Sequence, residues 1–230
     1  MLVDIFSSFD DHNQVFMSLY FLIWSFSLLV LLLFSSGYWL FSPRWGTVIK
    51  TFKDTVSSQI FRSFGINLGG FMNLVSGLFL FLIFVNLLGL IPYVFSPTSH
   101  LAVSLSLGLP MWACLIFSAI AFNPSSVVAG LLPMGAPAGL NPFLVLIETV
   151  SIMVRPITLS VRLSANMSAG HIVLTLIGNY LTSALFSISF SMMLLIGIQI
   201  FYTIFEFGIS LIQAYIFCLL ITLYSDEHPH

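Results

Sequence analysis

Residues 142–185, PFLVLIETVSIMVRPITLSVRLSANMSAGHIVLTLIGNYLTSAL, form an apolar run that polar groups interrupt but no loop breaks. About 40 helical residues at 1.5 Å each would measure about 60 Å, twice the hydrocarbon core of a bilayer. Such a helix must lie steeply tilted or fold back. Ser187 to Tyr224 repeats the situation over ~38 residues, so the two runs predict a hairpin of long, strongly tilted membrane helices. Inside the first run, LSVRLSANMSAGH (Leu159 to His171) holds a guanidinium, Arg162, in apolar surroundings. A central Arg in a spanning helix costs about 2.5 to 3.5 kcal/mol on insertion scales. It is therefore paired, turned to a protein or water-filled interior, or functional. The structural alternative is an ion pair with Glu148 or Glu206.

Bulk composition agrees with a membrane solvent. Of 230 residues, 59% are hydrophobic and 6% charged, against roughly one-quarter charged in soluble domains. So little polar material cannot cover a soluble core of this size, and lipid must cover much of it. The net charge of -2 says little about partners, but the placement of basic residues says more. Arg44, Lys50, Lys53 and Arg62 share one segment, whereas Arg155 and Arg162 lie in apolar runs. The segment between the first two spans is thus expected to face the cytoplasm or a mitochondrial matrix, with the N-terminus opposite. Cys114 and Cys218 sit in apolar runs without metal-type spacing and read as small buried hydrophobes. Asp4, Asp10 and Asp11 precede any Lys or Arg, unlike a secretory or transit segment, so insertion is expected where the chain is made.

Taken in order, the chain reads as an all-α polytopic membrane protein. Residues 1–122 hold about three steep spans: Val15 to Phe34, Phe71 to Ile91 ahead of Pro92, and Leu101 to Phe122 with Gly108 and Pro110 inside. Between the first two, at about 44–64, Trp45, Val48, Ile49, Phe52 and Val56 recur at near-helical spacing against Lys50, Lys53 and Asp54. That pattern predicts an amphipathic helix on the membrane face. Asn86 and His100 read as helix-packing and interfacial polar groups. Residues 123–141 form a Pro/Gly-rich connection, and 142–226 form the long hairpin that carries the chemistry.

At 100° per residue, Glu148, Arg155 and Arg162 fall on one stripe of the first long helix, with Asn166 a turn further and Thr158, Ala165 and Ala169 beside them. Small residues admit a close neighbour, so Arg162 is expected to point at another helix rather than at lipid. His171 falls on the opposite side. Gln199, Glu206 and Gln213 form a second stripe, with Tyr224 returning to nearly the same direction. Heptad-spaced amides can merely glue helices together. His171 and Glu206 suit proton relay better, because histidine titrates near neutrality and a carboxylic acid removed from water moves toward it. Arginine cannot be deprotonated, so beside a relay it acts as a gate that favours ionisation of any carboxylate brought near.

LSVRLSANMSAGH, with FEFGISLIQAYIFCLLITLY (Phe205 to Tyr224) and NLLGLIPY (Asn86 to Tyr93), resembles the a-subunit family of F-type ATP synthases in its mitochondrial form, over essentially the whole chain. The resemblance implies a stator subunit in the mitochondrial inner membrane, forming two offset half-channels against a ring of c subunits and coupling proton flow to rotation. Its implied partners are the c ring, the peripheral stalk, other subunits of the Fo sector and the lipid bilayer. No cofactor, metal or nucleic acid is implied. Arg162 matches the ring-facing arginine, His171 and Glu206 the pair on the intermembrane-space side, Glu148 the matrix-side acid, and Asn166 and Gln213 polar neighbours of the arginine. Bacterial relatives tend to reverse the residue types at the His171 and Glu206 positions. The role of Arg155 stays open.

Other classes fit less well. A multi-span secondary transporter should carry repeats with paired broken helices, and the two halves here differ in charge, length and spacing. A structural subunit of a respiratory complex would need no ionisable stripe on both long helices. No phosphate loop or HExxH pair is present, so ATP chemistry is expected on other subunits. The Asn166-Met-Ser sequon lies in a membrane helix and reads as a chance match.

Overall fold

The computed structural model describes residues 44–91, 94–132, 138–184 and 190–227 together with Phe9 and Ser25; the side chains of Trp45 and Ala138 and the expected span Val15 to Phe34 lie outside the described residues. Six helices are described: α1 (Arg44–Ile60), α2 (Phe71–Gly89), α3 (Leu101–Phe122), α4 (Pro124–Gly130), α5 (Asn141–Ala184) and α6 (Phe190–Asp226). Short 3-10 turns occupy Phe64–Asn67, Pro97–Ser99 and Ala138–Leu140. Four helices, α2, α3, α5 and α6, are long and apolar enough to cross a membrane. The molecule is an all-α polytopic membrane protein.

α1 is the amphipathic helix, but it is shorter than expected. It buries Val56 and Ile60 and half-buries Ile49 and Phe52, while Lys50, Lys53 and Asp54 stay exposed. Val48, expected on the apolar face, is 47% exposed. The helix stops at Ile60 rather than Phe64, because the chain turns through the Phe64–Asn67 turn to start α2. Gly70 makes this possible: its φ of 83° is left-handed, a conformation that costs glycine little. α2 ends at Gly89 rather than Ile91, one turn short of Pro92. α3 spans the expected residues. The Pro/Gly-rich connection is partly helical, since Pro124 sits at the first turn of α4, where its missing N–H is no loss.

α5 is continuous over 44 residues and runs through Pro156, so the fold-back alternative is excluded. Its length of about 66 Å, and about 55 Å for α6, leaves strong tilt as the way to fit a 30 Å core. α3 and α5 meet at small groups rather than interlocking large ones. A Cβ placed on Gly108 of α3 would lie 3.3 Å from Leu159 Cδ2 and 3.7 Å from the Pro156 carbonyl of α5. Ser104 and Ser160 are buried at 0% exposure, each hydroxyl donating to the carbonyl three residues back. In lipid, close backbone approach supplies the association that the hydrophobic effect supplies in water. A second seam joins α2 to α6 through Val75, Phe79 and Leu82 against Ala214, Phe217 and Ile221. Phe79 also meets Phe52 of α1 edge-on, tying the surface helix to this seam.

Gly108→Leu should force α3 off α5 at a cost of about 1 to 3 kcal/mol, the usual range for overpacking. Gly77→Leu, at a glycine with open space around it, should be near neutral. Thermal midpoints of the two solubilised variants check this. Equal midpoints would mean that the crossing tolerates a side chain.

Candidate functional site

Arg162 lies at the centre of α5, 21 residues after Asn141 and 22 before Ala184. It is exposed, and so are Thr158, Ala165, Asn166 and Ala169 on the same side. Among the described residues it makes no ion pair and no hydrogen bond. The structural pairing open to it in the sequence does not form, because Glu148 is taken by Arg155 and Glu206 is buried elsewhere. The neighbouring helix expected against this face is not one of the chain's described helices. A permanent cation therefore sits midway along the longest helix on a face lined by small side chains.

Arg155, seven residues earlier, has the opposite fate. Its guanidinium donates to Glu227 and reaches Glu148 at 3.5 Å, and its carbon centre stands 5.4 Å from the middle of the Tyr224 ring. A planar fork with five donors can serve two carboxylates and an aromatic face together. This cluster opens on a cavity of about 570 Å³ between α3, α4, α5 and the end of α6, with Trp112, Ala119, Val127 and Ile152 in its wall.

Beyond Arg162 the polar groups change type. Glu206 is 4% exposed, and its carboxylate rests on Gly170 of α5: a Cβ there would collide with it. Neither Glu206 oxygen has a hydrogen-bond partner among the described residues, nor does His171 Nε2. The ring of Phe9 meets the His171 ring edge-on, 6.3 Å between centroids. Between Arg162 and this cluster, Asn166 Nδ2 donates to Gln213 Oε1 at 2.8 Å, joining α5 to α6. Gln199, two turns before Glu206, is half-buried.

The two clusters lie toward opposite ends of the hairpin. The end of α6 meets the basic segment: Phe64 N–H donates to Asp226 Oδ1 at 2.8 Å, and Gln59 Nε2 donates to Tyr215. Glu148, Arg155 and Glu227 therefore belong to the side of Arg44, Lys50, Lys53 and Arg62. His171 and Glu206 lie across Arg162 from them, toward the Pro97–Ser99 turn.

All six sequence-derived candidates thus sit on α5 and α6. The structure joins Asn166 to Gln213 and sets Glu206 beside Gly170, whereas Arg162 stands apart from every acid among the described residues. Sequence reasoning missed Glu227, whose only signal was the acidic pair with Asp226 near the end of a polar stripe. It also missed Gly170 as the seat of Glu206, although the glycine lies within the quoted motif. Among the described residues no His, Cys, Asp or Glu cluster could hold a metal. What remains is a set of titratable carboxyl and imidazole groups on either side of a cation that cannot release its proton.

Residues 15–226 match the family described as "ATP synthase A chain". Similar proteins include "ATP synthase subunit a" of Artemia franciscana, 39% identical with 99% of this chain and 100% of the relative covered. That of Albinaria caerulea is 38% identical with full coverage of both, and that of Drosophila melanogaster is 39% identical with 99% of each covered. Family membership across nearly the whole length accounts together for the four described helices long and apolar enough to cross a membrane and the ionisable groups inside them. The chain belongs to the ATP synthase A chain family, the proton-translocating subunit of the membrane sector, which has no catalytic site of its own.

Proposed function

We propose that residues 142–226 carry two offset half-channels, separated by Arg162 and facing a ring of c subunits, and that proton flow between them drives rotation of the ring. The observation that carries this is Arg162 at the centre of α5, exposed and unpaired among the described residues. A cation at that depth is stable only if another protein surface or water covers it. A rotor bearing one membrane carboxylate per subunit meets that need and uses it. The cation favours ionisation of each arriving carboxylate, so the proton is released before the site passes. The arrangement suits the mitochondrial inner membrane, with the basic segment toward the matrix. The peripheral stalk and other Fo subunits hold the chain against the rotor's torque.

His171 and Glu206 serve as the half-channel away from the basic segment, and Glu148 serves the half-channel on its side. Asn166 and Gln213 hold α5 to α6 next to Arg162, fixing the height of the cation. Each proton crossing releases about 2.3 kcal/mol per 100 mV, so direct leakage between the half-channels would dissipate the gradient. Arg162 prevents it by placing a fixed positive charge on the short route. ATP chemistry lies on other subunits.

Arg162→Ala should abolish gradient-driven ATP synthesis in membranes whose complex assembles at the wild-type level. Arg162→Lys should also fail, since an ammonium can lose its proton when desolvated. Normal synthesis in Arg162→Ala would sink the gating role, and loss of assembly alone would make the residue structural.

Gly170→Ala should displace the Glu206 carboxylate and reduce passive proton uptake by vesicles as far as Glu206→Gln does. Gly178→Ala, at a glycine of the same helix with open space around it, should conduct as wild type. Wild-type uptake in Gly170→Ala would show that conduction does not depend on this seat for Glu206.

A further inference from the structure

α3 and α5 touch where Gly108 lies on Leu159 and the Pro156 carbonyl, and toward the end of α3 and the start of α5 a gap separates them. The chain turns back between them through α4, which closes the gap with Val127 and Leu131 rather than filling it. A Cβ on Gly130 of α4 would meet nothing within 4 Å. The result is the cavity of about 570 Å³, within the roughly 300 to 1,000 Å³ of small-molecule sites. Trp112, Leu115 and Ala119 of α3 and Ile152 of α5 give it an apolar wall. Its charged groups are not scattered along that wall. Arg155 contacts Glu148, Glu227 and the Tyr224 ring, so they form one polar end.

Charge selects the occupant. Two carboxylates share one guanidinium, which leaves the polar end one negative charge in excess among the described residues. Arg155 is engaged on three sides, and only 22% of its side chain is exposed. Glu148 and Glu227 keep 40% and 56% of theirs open, and a carboxylate has about four acceptor sites. An anion, a phospholipid phosphate included, would find the guanidinium taken and two acids repelling it. A neutral chain would suit the apolar wall but leave the excess charge uncompensated where water is scarce. One ammonium on an apolar body meets both conditions.

We infer that this cavity binds an amphiphilic monocation, its apolar chain along Trp112, Leu115 and Ile152 and its ammonium between Glu148 and Glu227. Every wall residue comes from this chain, so the site is complete without the rotor. The effect of binding rests on the half-channel reading of Glu148. An ammonium seated there keeps that carboxylate ionised and covered, so protons cannot pass through it and the ligand blocks flow.

The probe is dodecyltrimethylammonium carrying a diazirine in its chain, whose fixed charge cannot carry protons across a bilayer. It is compared with the matching alcohol and the matching carboxylate in vesicles holding the assembled wild-type complex. On illumination the cation should label residues 112–119 and 148–153 several-fold more than either of the others. Equal labelling by the alcohol would make the cavity a plain apolar void and overturn the inference. Stronger labelling by the carboxylate, or none by any probe, overturns it as well. Glu227→Gln should bring cation labelling down to the level of the alcohol, and Ala119→Phe, which fills the cavity, should abolish it. Undiminished labelling in both variants would place the adducts outside the site and sink it. If the variants do not assemble, the comparison of three probes on wild type still decides. Passive proton uptake under an imposed potential separates the two readings. The cation should lower uptake several-fold in wild type but not in Ala119→Phe. Specific labelling with undiminished uptake would leave the binding site standing and overturn the half-channel role of Glu148.

Discussion

Hydrocarbon does not solvate charge, and that constraint decides where each ionisable group of this chain can sit. Arg155 and Arg162 are the same side chain on the same helix, two turns apart. Arg155 is covered by two carboxylates and a tyrosine ring, so the chain itself solvates it. Arg162 receives nothing of the kind among the described residues and is turned outward. Moving Glu148 or Glu206 to Arg162 would have stabilised the isolated subunit. Both acids are instead held on other partners, Arg155 and Gly170, which leaves the cation without a carboxylate among the described residues.

The same constraint shapes the helix contacts. With lipid on the outside, burying leucine against leucine gains less than in water, and the contacts of α5 with α3 and α6 use glycine and serine that bring backbones together. Gly108 against Leu159 and Gly170 against Glu206 are two uses of one device. In the first the missing Cβ admits an apolar side chain and fixes packing. In the second it admits a carboxylate and fixes chemistry.

Much of this was legible in the sequence because membrane helices are governed by length and polarity, which composition states openly. Leu101–Phe122 could be bounded from its apolar run alone, and a hydrophobic stretch too long for one span and without a loop signal left α5 either tilted or folded back, which its continuity through Pro156 decides. The end of α1 was not legible, since the turn after Ile60 depends on the left-handed Gly70 and on the start of α2. Nor was the state of Arg155. Its second acid, Glu227, lies 72 positions away and meets it only because α6 runs back along α5. Periodicity places residues on a face of one helix; it does not say which residue of a second helix arrives there. Arg162 was legible as a problem, and the missing partner is what the fold added.

The length of α5 links these features to the proposed mechanism. Glu148 and His171 are 23 residues apart on one continuous helix, about 35 Å along its axis. A helix of about 66 Å held within a core of about 30 Å resolves that separation into roughly 16 Å of depth and 30 Å sideways. The acid cluster on the basic side and the Glu206 cluster on the other are then displaced laterally more than vertically. A proton released into one cannot step directly to the other, both because of the sideways gap and because Arg162 stands midway. An upright helix of ordinary span would stack the two clusters into a continuous pore. On the proposed reading, tilt is what turns two polar clusters into two ends of a path that only a moving carrier can complete.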